Sequence, residues 1–352
     1  MKADIDTVME KQQTLPKAAA GKTNSQWIVL AGLRFILAFF VSATHLFKVA
    51  PDSALVLYFG GLGHAALFIF FMISGYSIAA SIKARPQGYL ARRIVRIYPV
   101  YLFALAFCVL LMLGGPLHSP QGEVIHPSPF GLILQNLFMM QGIWADTIEY
   151  DRPLWTLGVE WWCYMAAPLL VGMNSRFMAW AALVVFIFII FYTRHYMGIK
   201  NSSNMPMSMN ILFWVSTWMG GFFFYRDRKP GGFILMLFPS IVMFTRYVYF
   251  PYSIFLLVVC ALVIAMVAKI DIKDKKIRAV MEWLGDVSYP YYLLHFPLFY
   301  AITTYTDMRN GSAIMALAVG LVFSGYYGVT MLAGKMSRPI RQLLFYRPRT
   351  RR

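Results

Sequence analysis

The sequence predicts an all-α integral membrane protein with about ten transmembrane helices and both termini in the cytoplasm. Three observations predict it. Of its 352 residues, 59% are hydrophobic and only 13% are charged, far below the charged share of a soluble domain. Apolar runs long enough for a membrane helix recur along the chain, among them Trp27 to Leu46, Trp180 to Tyr192 and Ser253 to Ala268. The basic residues fall in short segments between such runs, mostly on alternate ones.

In chain order, the apolar runs place spans at roughly 27–47, 61–81, 97–114, 154–171, 177–193, 208–225, 233–249, 252–268, 287–306 and 313–333. The segment 130–144 is apolar but short and flanked by polar residues, so it reads as re-entrant or interfacial rather than spanning. Lys and Arg counts test this. With the N-terminus inside, 25 of the 32 basic residues fall on inside segments, six fall outside, and Arg34 lies within the first span. An extra span at 130–144 would invert everything after it and move most basic loops outside. The chain divides into a polar cytoplasmic tail at 1–26, a transmembrane domain at 27–333 and a basic cytoplasmic tail at 334–352. The N-terminal tail is polar and mixed in charge, unlike a signal peptide.

The formal net charge of +17 could suggest a nucleic-acid partner. The basic residues sit in loops between spans instead of on one soluble domain, and that excludes the reading. Cys108, Cys163 and Cys260 lie inside apolar runs and form no CxxC pair, so neither a disulfide framework nor a metal site is indicated. The longest loop, Gly115 to Arg152 on the outside, carries His118, His126, Asp146, Glu149 and Asp151. It suits either an acceptor-holding loop or a plain solvated one.

Several groups are out of place in a bilayer. Arg34 and His45 lie in the first span, where a central charge costs at least about 2.5–3.5 kcal/mol. They are eleven residues apart; at about 100° per residue they share one helix face, roughly 16 Å apart along the axis. Taken singly, Arg34 could snorkel to the inner surface and His45 could be an interfacial histidine. A shared face weakens both readings. Glu160 lies in the run Pro153 to Tyr164, at a depth close to that of His45. A carboxylate there would fix the tautomer of the imidazole and raise its basicity, or would form a structural pair with Arg34 or Arg152.

Arg92, Arg93 and Arg96 cluster on one face of the first cytoplasmic loop. They suit bidentate phosphate binding, or are an ordinary positive-inside loop at the headgroups. Ser74, Gly75 and Tyr76 follow Phe70 and Phe71 on the second span, as helix packing or as ligand contacts. Ser288, Tyr292 and His295 recur at four and three residues on the ninth, a polar stripe that either binds substrate or joins helices. Trp155 could stack on sugar or anchor at the interface.

Five motifs in order resemble the acyltransferase-3 family of membrane O-acyltransferases, which modify bacterial surface glycans. They are Arg34-x10-His45, Phe70-Phe71-x-x-Ser74-Gly75-Tyr76, Arg93-x-x-Arg96, Pro153-Leu-Trp155-x-Leu-x-x-Glu160 and Ser288-Tyr-Pro-x-Tyr292-Leu-x-His295. The resemblance spans positions 34 to 295 and implies a stand-alone membrane form in the bacterial inner membrane. It implies acetyl-CoA or a related acyl-CoA as cytoplasmic donor and no metal. The implied acceptor is a periplasmic or surface polysaccharide or glycolipid, with membrane lipid and proteins of polysaccharide synthesis or export as partners. Family roles carry His45 as catalytic histidine, acting as general base or as transient acyl carrier, Arg34 and Glu160 as its essential partners, and Arg93 with Arg96 at the donor phosphates. Arg92, Ser74 and Tyr76 join the donor site. Trp155, Ser288, Tyr292 and His295 join the acceptor side. The rival class is a proton-coupled carrier or lipid-linked-sugar flippase, since intramembrane Arg, His and Glu also mark transport paths. No convincing internal repeat supports it.

Overall fold

A computed structural model describes residues 23–195, 207–229, 231–235, 237–238 and 251–345. Helices dominate them: α1 (Thr23–Leu46), α2 (Ala54–Phe59), α3 (Gly63–Ala84), α4 (Tyr89–Leu113), α5 (Phe130–Leu137), α6 (Trp155–Leu170), α7 (Ser175–His195), α8 (Met207–Asp227), α9 (Pro251–Met266), α10 (Lys275–Thr306) and α11 (Gly311–Phe345). Four stretches among the described residues are long and apolar enough to cross a membrane: Ser25–Leu46, Ala54–Ala84, Tyr89–Leu113 and Gly311–Met336. Two shorter apolar helices, Ser175–Phe188 and Phe255–Lys269, accompany them. Most of the span expected at 233–249 lies outside the described residues.

Segment 130–144 holds only the eight-residue helix α5, too short to cross a bilayer. Its apolar side chains Phe130 and Leu134 are exposed. Helices α4, α10 and α11 run beyond the expected bounds because apolar runs mark membrane depth rather than helix ends. Helix α10 starts at Lys275, well before the apolar run, because the Asp274 carboxylate accepts from the backbone N–H groups of Lys276 (2.7 Å) and Ile277 (3.1 Å). Helix α11 continues past residue 333 to Phe345.

Helix α3 sits at the centre. It is buried on every side, as a helix apolar all round must be. It packs on α1, α8 and α9, while α10 packs on α1 and α11. Small residues set the closest approach: a methyl group on Gly75 would run into the Trp218 carbonyl oxygen, and one on Gly221 into that of Met72. Gly75 is thus a packing residue.

The long loop after α4, residues 115–152, is folded although many of its side chains are exposed. A two-stranded antiparallel hairpin, β1 (Leu117–His118) with β2 (Val124–Ile125), opens it. Asn136 is fully buried and bridges the loop, giving to the carbonyls of Leu132 and Asp146 at 2.9 Å and accepting from Ile148 N–H. Glu123 ties the loop to three elements. It accepts from Arg152 (2.8 Å) and Tyr300 (2.7 Å) and pairs with Lys48 (3.4 Å). Burial would push its carboxyl up, but the hydrogen bonds from Tyr300 and Arg152 and the Lys48 charge win, leaving it below the ordinary carboxylate range. Asp151, one of the acids of this loop, is fully buried, and neither of its carboxylate oxygens has a hydrogen-bond partner. Burial pushes that carboxyl well above its ordinary range. The turn Glu149–Leu154 draws it in, with Asp151 itself at φ −148°, ψ 67°.

Candidate active site

A line of serines on α3 organises the inner half of the site. Ser74, Ser77 and Ser81 recur at three and four residues, so they share one helix face. Ser77 Oγ accepts from Arg34 Nη2 at 2.7 Å and gives its own proton to the Ile73 carbonyl at 2.7 Å. Ser81 Oγ accepts from Arg93 Nη2 at 3.0 Å. Ser74 Oγ lies 2.9 Å from Tyr164 OH and accepts from Trp218 Nε1 at 3.2 Å. Tyr164 spends its proton on Glu160 Oε1 at 2.5 Å. The donor order is therefore Trp218, Ser74, Tyr164, Glu160. Ser77, Ser81, Tyr164 and Trp218 escaped the sequence reading, although the serine spacing was a readable signal.

Arg34 lies within electrostatic reach of Glu160, Tyr164, Arg93 and Arg96. Arg34, Glu160, Arg93 and Arg96 thus form one charged cluster. The basic groups Arg93 and Arg96 come from α4, whose entry turns on Gly88 in the left-handed conformation (φ 65°). The Arg93 Nε is buried without a partner, and Arg96 is exposed. Arg92 turns away, donating at 2.6 Å to the Gln87 carbonyl and also to that of Arg85. It braces the loop before α4. Tyr76 is buried and its hydroxyl meets Arg228 Nη2 at 2.8 Å. Arg228 adopts φ 52° and lies over the rings of Tyr76, Phe224 and Tyr225 at 5.3–5.5 Å.

His45 occupies the other end of α1, in its last turn. Its ring centroid is 5.4 Å from that of His295 and 5.5 Å from that of Phe296. The charged and titratable groups acting on it are His295, His64 and Lys48. Similar sequence depths suggested Glu160 for this imidazole; in the structure the Glu160 carboxylate accepts from Tyr164 and lies within electrostatic reach of Arg34, while Glu160 is absent from the groups acting on His45. Helix α6 begins at Trp155, so Glu160 lies more than a turn inside it, while His45 is one residue from the end of α1.

The stripe on α10 divides. Ser288 turns back to the Gly285 carbonyl at 2.6 Å. Tyr292 OH lies 2.6 Å from Thr156 Oγ1 of α6, its ring edge-on to Phe70 at 5.8 Å. His295 is fully buried, with Nδ1 2.7 Å from the Tyr292 carbonyl oxygen. Trp155 packs edge-on to Trp214 at 5.5 Å. Among the described residues, no group of three or more His, Cys, Asp or Glu side chains is placed to hold a metal ion.

A family model described as an acyltransferase domain matches residues 28–332. Among curated proteins, the chain is similar to an acyltransferase named MdmB of Streptomyces mycarofaciens, 29% identical over 151 residues, which is 40% of this chain and 38% of that protein. It is also similar to an O-acetyl transferase of Shigella phage Sf6, 26% identical over 204 residues, 54% of this chain and 59% of the relative. The matched regions thus cover less than two thirds of either relative. No solved structure matches the chain.

Proposed function

The chain belongs to the acyltransferase-3 family, and on that premise we propose that it is a membrane O-acyltransferase moving an acetyl group from cytoplasmic acetyl-CoA to a hydroxyl of a periplasmic or surface polysaccharide or glycolipid. One observation carries the reading. Arg34 and His45 share a face of α1, with Arg34 among the α4 arginines and His45 near the folded outer loop.

A thioester is already activated, so the enzyme has two tasks: to take a proton from the acceptor hydroxyl and to hold the developing charge. The donor phosphates rest on Arg93, whose Nε has no partner in the fold, and on the exposed Arg96. The pantetheine arm is the part of the donor with the length to run along the Arg34 face toward His45. Arg34, held by Ser77 and offset by Glu160, lines that path with positive charge. His45 takes the hydroxyl proton as the acceptor oxygen attacks the thioester carbonyl carbon. The C–S bond breaks, the ester forms, and the departing CoA thiolate receives the proton. The two ends face opposite ways in a topology of ten spans with both termini cytoplasmic in the bacterial inner membrane. The relative from phage Sf6, named an O-acetyl transferase, supports acetyl as the group moved.

Purified protein supplied with radiolabelled acetyl-CoA tests this. Transfer of label to polysaccharide, or its release as acetate, is expected in wild type and is lost in His45→Ala with thermal stability unchanged. An inert wild-type protein sinks the enzyme reading in favour of transport. Full activity in His45→Ala removes that histidine from the chemistry.

A further inference from the structure

Since a carbonyl oxygen can only accept, the 2.7 Å contact between His295 Nδ1 and the Tyr292 carbonyl makes Nδ1 the protonated nitrogen. In the neutral ring, Nε2 then presents a lone pair. That atom is fully buried and has no hydrogen-bond partner, a costly state for an acceptor. The hydroxyls around it are spent. Tyr291 OH lies 2.5 Å from Ser42 Oγ, and Tyr292 OH lies 2.6 Å from Thr156 Oγ1. Phe299 offers no polar atom, and its ring stands edge-on to His295 at 5.9 Å. The adjoining ring that carries an N–H is His45, 5.4 Å away between centroids and tilted by 40°. A small ring rotation, or one bridging water, joins the two nitrogen edges.

We propose that His295 is the positioning partner of His45: its Nε2 accepts an N–H of His45, fixing the tautomer that leaves the other His45 nitrogen free as base. The inference rests on His45 being the base. It fills the role for which sequence depth suggested Glu160, with a neutral acceptor instead of a carboxylate. During the reaction the hydroxyl proton goes to the free nitrogen of His45, and the imidazolium keeps its second N–H on His295. The proton then leaves with the CoA thiolate, and His295 ends as it began. A neutral acceptor stabilises the imidazolium, so its removal makes His45 a weaker base. The other titratable groups facing His45 are His64 of α3 and Lys48 just beyond α1; neither changes in the test below.

The test compares wild type, His295→Ala, His295→Gln and His45→Ala by turnover of radiolabelled acetyl-CoA between pH 5 and 9, with thermal unfolding of each. The Gln side chain keeps an acceptor oxygen where Nε2 stood but cannot take the proton. His295→Ala is expected to lower kcat by about 10- to 100-fold, as loss of an orienting partner does. The Michaelis constant for acetyl-CoA should be unchanged, and the acid limb of the profile should move to lower pH. His295→Gln should recover most of the rate. A wild-type rate and profile in His295→Ala overturns the proposal, as does equal impairment of both variants with lost thermal stability. Activity in His45→Ala would instead overturn the underlying reading. Nitrogen-15 NMR of histidine-labelled protein then decides the pairing alone: one His45 tautomer in wild type and a mixture in His295→Ala is expected, and no difference overturns it.

Discussion

Arg34 Nη2 of α1 donates to Ser77 Oγ of α3 at 2.7 Å. One helical turn further along the same face, Ser81 receives Arg93. A single row of hydroxyls thus holds two arginines from two other helices. Each guanidinium keeps further N–H groups, which on the proposed reading are free for an anionic donor. The row also explains how charge is tolerated at that depth. Both arginines donate to serines and Arg34 is also offset by Glu160, so the insertion penalty is shared among fixed dipoles.

Removing the Ser77 hydroxyl loosens Arg34 without removing its charge. A hydrogen bond to a charged group contributes about 1.5–3 kcal/mol, so Ser77→Ala should lower kcat/KM for acetyl transfer by roughly 10- to 100-fold. Ser77→Thr keeps the hydroxyl and should retain most of the activity. A wild-type rate in Ser77→Ala would show that Arg34 does its work without this anchor.

Arg93→Ala with Arg96→Ala should raise the Michaelis constant for acetyl-CoA while kcat changes little, because both side chains lie far along the path from His45. Comparison with a donor lacking the 3′-phosphate sharpens the test. Wild type should prefer acetyl-CoA, and the double variant should lose that preference. If discrimination survives, the phosphate is held elsewhere. Arg228, over the Tyr76 ring, is the residue to change next.

Much of this site was readable from spacing alone. The eleven-residue interval between Arg34 and His45, the arginine pair on α4 and the apolar runs each follow from helical periodicity. What spacing could not give was contact between helices. Glu160 and His45 have similar apparent depths, yet with α6 starting at Trp155 the carboxylate meets Tyr164, on the Arg34 side of the bundle. The burial of Asp151 was not readable, because nothing local signals that a turn will draw it in. Arg226 read as one more inside charge. It also caps the end of α6, a contact spacing does not show, donating to the carbonyls of Leu170, Val171 and Met173 at 2.7–2.8 Å.

The contact between α3 and α8 has no room for a side chain at Gly75 or Gly221, because the atoms in the way are backbone carbonyls that cannot rotate aside. Gly75→Ala must therefore part the two helices, and overpacking of this kind costs about 1–3 kcal/mol. Thermal unfolding of the purified protein should show the loss. Gly131→Ala, where added bulk meets nothing, should not. Equal stability of the two variants would mean that α3 and α8 do not approach as closely as the glycines suggest.

Two acids of the outer loop predict opposite pH responses. Glu123 has its carboxyl held below the usual range by Tyr300, Arg152 and Lys48. Its stabilisation is therefore present above the unfolded value of about 4.3 and is lost as pH falls through the lower folded value. The stability gap between wild type and Glu123→Gln should narrow as pH drops below about 4. Asp151 is raised by burial, so the fold keeps it protonated where the unfolded chain, with a value of about 3.9, has released the proton. Its contribution is fully present below that value and is lost as pH rises toward the folded one. Asp151→Asn carries no such ionisation, so its stability relative to wild type should rise as pH increases from about 4. Unfolding midpoints of the three proteins across pH 3.5 to 8 measure both trends. If Asp151→Asn and wild type run parallel over that range, the carboxyl is ionised inside the fold and must hold a partner there.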